Sequence, residues 1–117
     1  MKDIYILEDD LVVVELIKFY TRNEKYNAIH VKENRLNTID SPKIIIVDIN
    51  LSLYNGFNLA HYLREIHGYD FSIIFVSADE ELQGKLSKEN FSNSSFCQKP
   101  LIKKDFMKIL NRMNTKQ

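Results

Sequence analysis

Ile44-Ile45-Ile46-Val47 is an unbroken run of four β-branched residues that ends in an acid, Asp48. A strand with one wet face alternates apolar and polar residues. This one does not, so both its faces are expected to be covered by helices, as in a parallel sheet. An acid at the end of such a strand lies at the carboxyl edge of the sheet, where open α/β folds bind ligands. The strand therefore reads as a stalk that presents one carboxylate. Taken alone, Asp48 has two readings: a reactive group, or a cap for the loop and helix that follow. Downstream, Asn55-Gly56 makes a turn and Phe57 opens an amphipathic helix.

The same strand-then-polar arrangement recurs along the chain. Ile4 to Leu7 is a short apolar strand that runs into Glu8, Asp9 and Asp10. Three adjacent acids repel one another, and they persist if solvated or if neutralised by a cation; oxygen ligands of this kind suit magnesium or calcium. In the other reading Asp10 caps the next helix while Glu8 and Asp9 face water. From Leu11 to Arg22, Val13, Leu16, Ile17 and Tyr20 fall at helical spacing, although the Val12 to Val14 run favours strand. Asn27 to Val31 is a weaker second strand with His30 as an ordinary strand residue. The polar stretch after it, with Leu36 and Ile39, suffices for about two helical turns before Pro42 stops it.

After Gly56 the stripe Phe57, Ala60, Leu63 and Ile66 marks a packing helix that ends at Gly68, with His61 and His67 at its surface. Phe71 to Val76 is a fourth strand, ending in Ser77, Ala78 and Asp79. Ser77 offers a hydroxyl donor to an anionic oxygen, or serves as a routine turn residue. Glu80 to Asn93 is a polar helix built on Leu82, Leu86 and Phe91. Phe96 and Cys97 lie in a last short strand leading to Lys99 and Pro100, and Phe106, Ile109, Leu110 and Met113 make an amphipathic closing helix with a lysine-rich outer face.

Five strands alternating with helices argue for a parallel sheet wound on both sides through right-handed crossovers. Glu8, Asp9, Asp48, Ser77 and Lys99 each follow a strand, so in such a sheet all of them gather at one edge. No histidine at a strand end could serve as the base of a serine hydrolase. The set suits phosphoryl chemistry better. A divalent cation held by Asp9 and Asp48 would offset the repulsion of the acids and leave one Asp48 oxygen as nucleophile. Lys99 supplies a point charge, Ser77 a hydroxyl, and the amides after Asp48 and Ser77 the rest of a phosphoryl cradle; the product would be an acyl phosphate on Asp48.

Composition narrows the partners. Lys and Arg number 16, as do Asp and Glu, so no net basic field draws nucleic acid or an anionic membrane. With 44% apolar residues and no linker-like tract, residues 1–117 are expected to form one domain. Cys97 is the only cysteine, and no signal peptide or apolar run of transmembrane length is present, from which a soluble, cytoplasmic setting is expected.

Leu7-Glu8-Asp9-Asp10, Val47-Asp48-Ile49-Asn50-Leu51 with Gly56 downstream, Val76-Ser77-Ala78 and Lys99-Pro100, in this order, closely resemble receiver domains of bacterial two-component response regulators. The resemblance spans essentially the whole chain. It implies a CheY-like, flavodoxin-like (βα)5 fold with strand order 2-1-3-4-5, and a phosphoacceptor rather than an enzyme. Asp48 would accept the phosphoryl group from a sensor histidine kinase or a histidine phosphotransfer protein. Magnesium, or manganese, would be held directly by Asp9 and Asp48, by Glu8 largely through water, and by the backbone carbonyl of Asn50; Asp10 could replace one acid if the register slipped by one. Ser77 would be the switch hydroxyl, Lys99 the conserved-type cation, Pro100 the site of a cis peptide bond, and Phe96 the aromatic switch residue, one without a phenolic hydroxyl. Asn50 and Asp79 would flank the phosphoryl group and set its lifetime. The switched surface would comprise the fourth helix, fifth strand and fifth helix, and a homodimer formed on phosphorylation is left open.

Three features depart from the family pattern. Ser52 stands where most receivers have proline, Asn93-Ser94-Ser95 replaces a Gly-Ala-Asp-like box, and the segment between the second and third strands is short. Two other readings compete. A haloacid-dehalogenase-type phosphatase also uses an aspartate after a strand, but Asn50 occupies the place of its second aspartate and its late acidic pair is missing. A receiver-shaped interaction module that is never phosphorylated would usually lack one of the acid, hydroxyl and lysine groups present here.

Overall fold

Alternate residues of a strand face opposite ways, so an unbroken apolar run must fill two cores. In the computed structural model, which describes residues 2–82, 84–85 and 91–115, it does. Five strands, β1 (Lys2–Leu7), β2 (Tyr26–His30), β3 (Ile44–Asp48), β4 (Ser72–Ser77) and β5 (Ser94–Gln98), form one parallel sheet in the order β2-β1-β3-β4-β5. Ile45 and Val47 of β3 join Tyr5, Leu7, Ile73 and Phe75 under helix α2 (Gly56–His67), which contributes Phe57, Ala60 and Leu63. Ile44 and Ile46 join Ile4, Ile6, Ile74 and Val76 on the other face, covered by α1 (Leu11–Thr21) and α3 (Lys103–Thr115) through Val14, Ile17, Phe106, Leu110 and Met113. Each fully buried aliphatic side chain stabilises by roughly 1.5–3 kcal/mol, so β3, like β1 and β4 beside it, is clamped from both sides. This is the flavodoxin-like α/β architecture that the family resemblance implies.

Local signals explain the helix ends. Asp10 caps α1, its carboxylate accepting from the Val12 amide at 2.9 Å. Asn55 caps α2 by accepting from the amides of Phe57 and Asn58, and Gly68 ends that helix with φ of 85°, a left-handed conformation that costs glycine nothing. Gly56 is required for a different reason. A Cβ there would stand 2.5 Å from the Ile49 Cα and 2.6 Å from the Asp48 carbonyl oxygen, so the first turn of α2 lies directly on the end of β3.

Several expectations need correction. In α1, Val14 is wholly buried along with the expected Ile17, whereas Val13, Leu16 and Tyr20 are only partly buried against the core. Ile66, assigned to the stripe of α2, is 53% exposed, because the segment beside it between β2 and β3 is only a six-residue 3-10 helix, Glu33–Thr38, interrupted at Arg35. The buried face of α2 carries Arg64 as well, and its guanidinium donates to the carbonyls of Tyr69, Phe71, Ser92 and Asn93 at the amino ends of β4 and β5. His30 is a strand residue as expected, but it is the last of β2, so a histidine does stand at a strand end; its Nε2 donates to the Glu8 carbonyl at 3.0 Å, well away from Ser77 in the sheet order. The helix expected over Glu80–Asn93 falls largely on residues outside the described set, Leu86 among them. No helix among the described residues is long and apolar enough to cross a membrane.

Candidate functional site

Parallel register brings the strand ends level. Leu7 lies opposite Val47, so Glu8 and Asp48 are the next pair; Asp48 lies opposite Val76 and Ser77 opposite Gln98, which places Lys99 one step further along the same edge. The side chains converge accordingly. Lys99 Nζ stands 2.7 Å from Glu8 Oε1 and 3.4 Å from Asp48 Oδ2, with both acids almost wholly buried. The Asn50 amide donates to the other Asp48 oxygen, Oδ1, at 3.0 Å. Ser77, also buried, accepts from the Asp79 amide at 3.1 Å and from Asn50 Nδ2 at 3.4 Å. Main-chain bonds from Ile49 N to the Val76 carbonyl and from Lys99 N to the Ser77 carbonyl fix the two loops against each other. The Lys99–Pro100 peptide bond is cis.

Electrostatics here are unbalanced. Two buried carboxylates share one ammonium, and Glu8 Oε1 makes only that ionic contact, with no hydrogen bond of its own. Burial, reinforced by the neighbouring Asp48, pushes the Glu8 carboxyl up to about 7, against the pull of Lys99 and the Asp10 amide. Burial would lower the Lys99 ammonium, yet Glu8 and then Asp48 more than offset it and hold Lys99 above its usual range. A shortfall of positive charge among acidic oxygens fits a hard divalent cation. Among the described residues no group of three or more His, Cys, Asp or Glu side chains is set to hold a metal ion by itself. The structure thus does not gather Glu8, Asp9 and Asp48, the acids expected to hold a cation, into one chelating cluster, and main-chain oxygen and water would have to complete a magnesium shell.

The remaining sequence-picked residues are placed as follows. Asp9 is exposed and turns to the loop after β3, where the Ser52 amide donates to its Oδ2 at 2.6 Å. Asp10 is spent on the α1 cap. Asp79 directs its carboxylate to the Glu81 amide at 3.0 Å. Phe96 lies opposite Phe75 in the register, half-buried against the core under α2. One acid escapes sequence reasoning altogether. Glu33, buried at the start of the 3-10 helix, accepts from the Ser52 hydroxyl at 3.3 Å and from the Leu53 amide at 2.9 Å. Burial and then the facing Asp9 carboxylate raise the Glu33 carboxyl; burial would also raise that of Asp9, but Glu33 and the Ser52 amide outweigh it and leave Asp9 below its usual value. A signal was available: a residue other than proline at 52 has an amide to give.

Comparison with known proteins bears on the fold and on the family. No curated protein matches the sequence. Among solved structures, the receiver domain of a two-component response regulator from Bacteroides fragilis superposes with a TM-score of 0.84 at 20% identity, covering 97% of either chain. Chemotaxis protein CheY4 of Vibrio cholerae gives 0.82 at 16%, covering 97% of this chain and 98% of that one. The receiver domain of a LuxO repressor from Vibrio parahaemolyticus gives 0.81 at 19%, covering 97% and 90%. At these identities the likeness speaks for the fold. The family model described as the response regulator receiver domain matches residues 4–111, nearly the full length, and to that family this chain belongs.

Proposed function

We propose that residues 1–117 act as one receiver domain that takes a phosphoryl group onto Asp48 from the phosphohistidine of a sensor kinase or phosphotransfer protein. The observation that carries this reading is the placement of Lys99 Nζ 3.4 Å from one oxygen of a buried Asp48 while a main-chain amide holds the other. In the transfer an Asp48 oxygen bonds to phosphorus as the bond from phosphorus to imidazole nitrogen breaks, and the imidazole departs with the electron pair. Phosphoryl transfer of this kind depends on positioning and charge stabilisation. Lys99 neutralises one equatorial oxygen, the Ser77 hydroxyl turns to a second, and the amide that follows Asp48 orients the acceptor. Glu8, Asp9, Asp48 and the Asn50 carbonyl would hold magnesium or manganese, which supplies positive charge to the phosphoryl oxygens.

Withdrawal of Ser77 toward the phosphoryl group gives up its contacts with the Asn50 side chain and the Asp79 amide, and Phe96 follows into the space beside it. The altered surface comprises the segment after β4, β5 and α3, and it is where a homodimer or an effector would respond. Asn50 and Asp79 border the phosphoryl position and set its lifetime.

Incubation with acetyl phosphate and magnesium tests the proposal. One phosphoryl group, mapped to Asp48 and absent in Asp48→Asn, is the expected result; no incorporation, or incorporation elsewhere, overturns it. Bulky or cationic replacements at Asn50 and Asp79 are expected to change the decay rate, and an unaltered rate in both would remove their assigned role.

A further inference from the structure

An exposed aspartate ordinarily rotates freely, and ordering it around a cation costs entropy. Asp9 is exposed yet held, because its Oδ2 accepts a short, charge-assisted bond from the Ser52 amide 43 positions away in the chain. The loop that carries this amide is itself gripped. Glu33 accepts from the Ser52 hydroxyl with Oε1 and from the Leu53 amide with Oε2, so one buried carboxylate spans two consecutive loop residues. Glu33 is in turn fixed as the first residue of the 3-10 helix after β2. Three segments distant in sequence, those after β1, β2 and β3, thus meet at Ser52, whose amide serves Asp9 and whose hydroxyl serves Glu33. None of these bonds involves Lys99 or Ser77, and the Ser52 bond could not form with proline, which has no N–H.

We infer that Ser52, through its main-chain N–H, and Glu33, through its grip on the loop, are positioning residues that present Asp9 to a divalent cation. The inference rests on the cation role of Asp9 in the proposed function. Carboxylate ligands are commonly oriented by a hydrogen bond from a neighbouring group, and loss of that group typically weakens metal binding 10–100-fold. A bond already made before the cation arrives removes part of the ordering cost.

The test uses Mn2+ as probe, titrated by electron paramagnetic resonance, together with amide hydrogen exchange on the metal-free chain. Ser52→Pro deletes the N–H and is expected to weaken Mn2+ binding about tenfold, whereas Ser52→Ala keeps the N–H, gives up only the 3.3 Å hydroxyl bond to Glu33 and is expected to weaken binding far less. Glu33→Ala is expected to weaken binding and Glu33→Gln, which retains an oxygen acceptor, to recover most of the loss. That second pair decides the matter even if Ser52→Pro fails to fold. In the metal-free chain the Ser52 amide should exchange slowly and lose its protection in Asp9→Ala. Unchanged or tighter Mn2+ binding by a folded Ser52→Pro, equal weakening by Ser52→Ala, no recovery by Glu33→Gln, or an unprotected Ser52 amide overturns this inference alone. Absence of saturable Mn2+ binding by the wild-type chain overturns the cation role itself.

Discussion

Two cations, Arg64 buried and Lys99 half-buried, sit at opposite ends of the sheet, and they are satisfied in opposite ways. At the amino end, among the described residues, Arg64 hydrogen-bonds to main-chain carbonyls alone, those of Tyr69, Phe71, Ser92 and Asn93, and it stacks over the Phe71 ring at 4.4 Å. At the carboxyl end Lys99 meets only carboxylates, Glu8 and Asp48. Neutral carbonyls in a fixed fork suit a planar guanidinium and leave nothing to exchange. Burial lowers the Arg64 guanidinium, whereas the acids raise the Lys99 ammonium. A compact ammonium between two like charges is an arrangement that a second cation or a phosphoryl group can redraw. One end is built to stay as it is, the other to be altered.

The comparison breaks most visibly if Arg64 proves dispensable. Arg64→Leu takes a donor from four carbonyls, of which Tyr69 keeps the Asn93 side chain and Asn93 keeps the Ile73 amide; with about 1–3 kcal/mol for each of the other two, the loss should reach about 3 kcal/mol in urea denaturation. Phosphoryl uptake per native molecule should not change. A loss under about 1 kcal/mol would show the amino end to be no staple.

Glu8 offers the next effect, through pH. Its carboxyl is raised by burial from 4.5 to about 7, so the folded chain binds a proton that the unfolded chain has released. The stability this contributes is fully present below pH 4.5 and is lost as pH rises to about 7, at most roughly 3 kcal/mol. Glu8→Gln should flatten the profile of denaturation midpoints between pH 5 and 8, and magnesium should restore stability at the alkaline end. A profile unchanged by Glu8→Gln would relocate the strain.

Lys99→Met probes the same end from its cation. Uptake from acetyl phosphate should fall on the order of a hundredfold, the usual cost of one donor to developing charge. Its effect on stability should depend on pH, since Glu8 can recover by binding a proton; that of Arg64→Leu should not. Gly56→Ala, finally, forces a methyl group against the Ile49 and Asp48 backbone and should cost about 1–3 kcal/mol while shifting the Asp48 resonances more than those near Arg64.

The two ends were not equally legible in the sequence. Glu8, Asp48 and Lys99 could be located because each interrupts an apolar strand, and parallel pairing leaves no freedom about which edge they share. Arg64 offered a fainter signal: it lies four residues after Ala60 and seven after Phe57, on the buried side of α2, where a charge has to find partners that lie in loops with no periodic pattern. Asn93, which takes the left-handed φ of 50° and offers its carbonyl to both Ile73 and Arg64, shows why the departure from the Gly-Ala-Asp-like box is tolerated, since asparagine adopts that conformation more readily than most residues. Glu33 was invisible for a similar reason. Its polar 3-10 segment has no apolar rhythm, and what it holds depends on Ser52 having an amide to spare.

Strand β5 is the sheet's outer strand on one side, with Arg64 bonded to the two carbonyls just before its first residue. Such a strand behaves as a lever on a fixed fulcrum. On the proposed function, a displacement driven by a change in charge at Lys99 would be smallest at Ser94 and largest at the far tip, swinging the surface that β5 shares with α3.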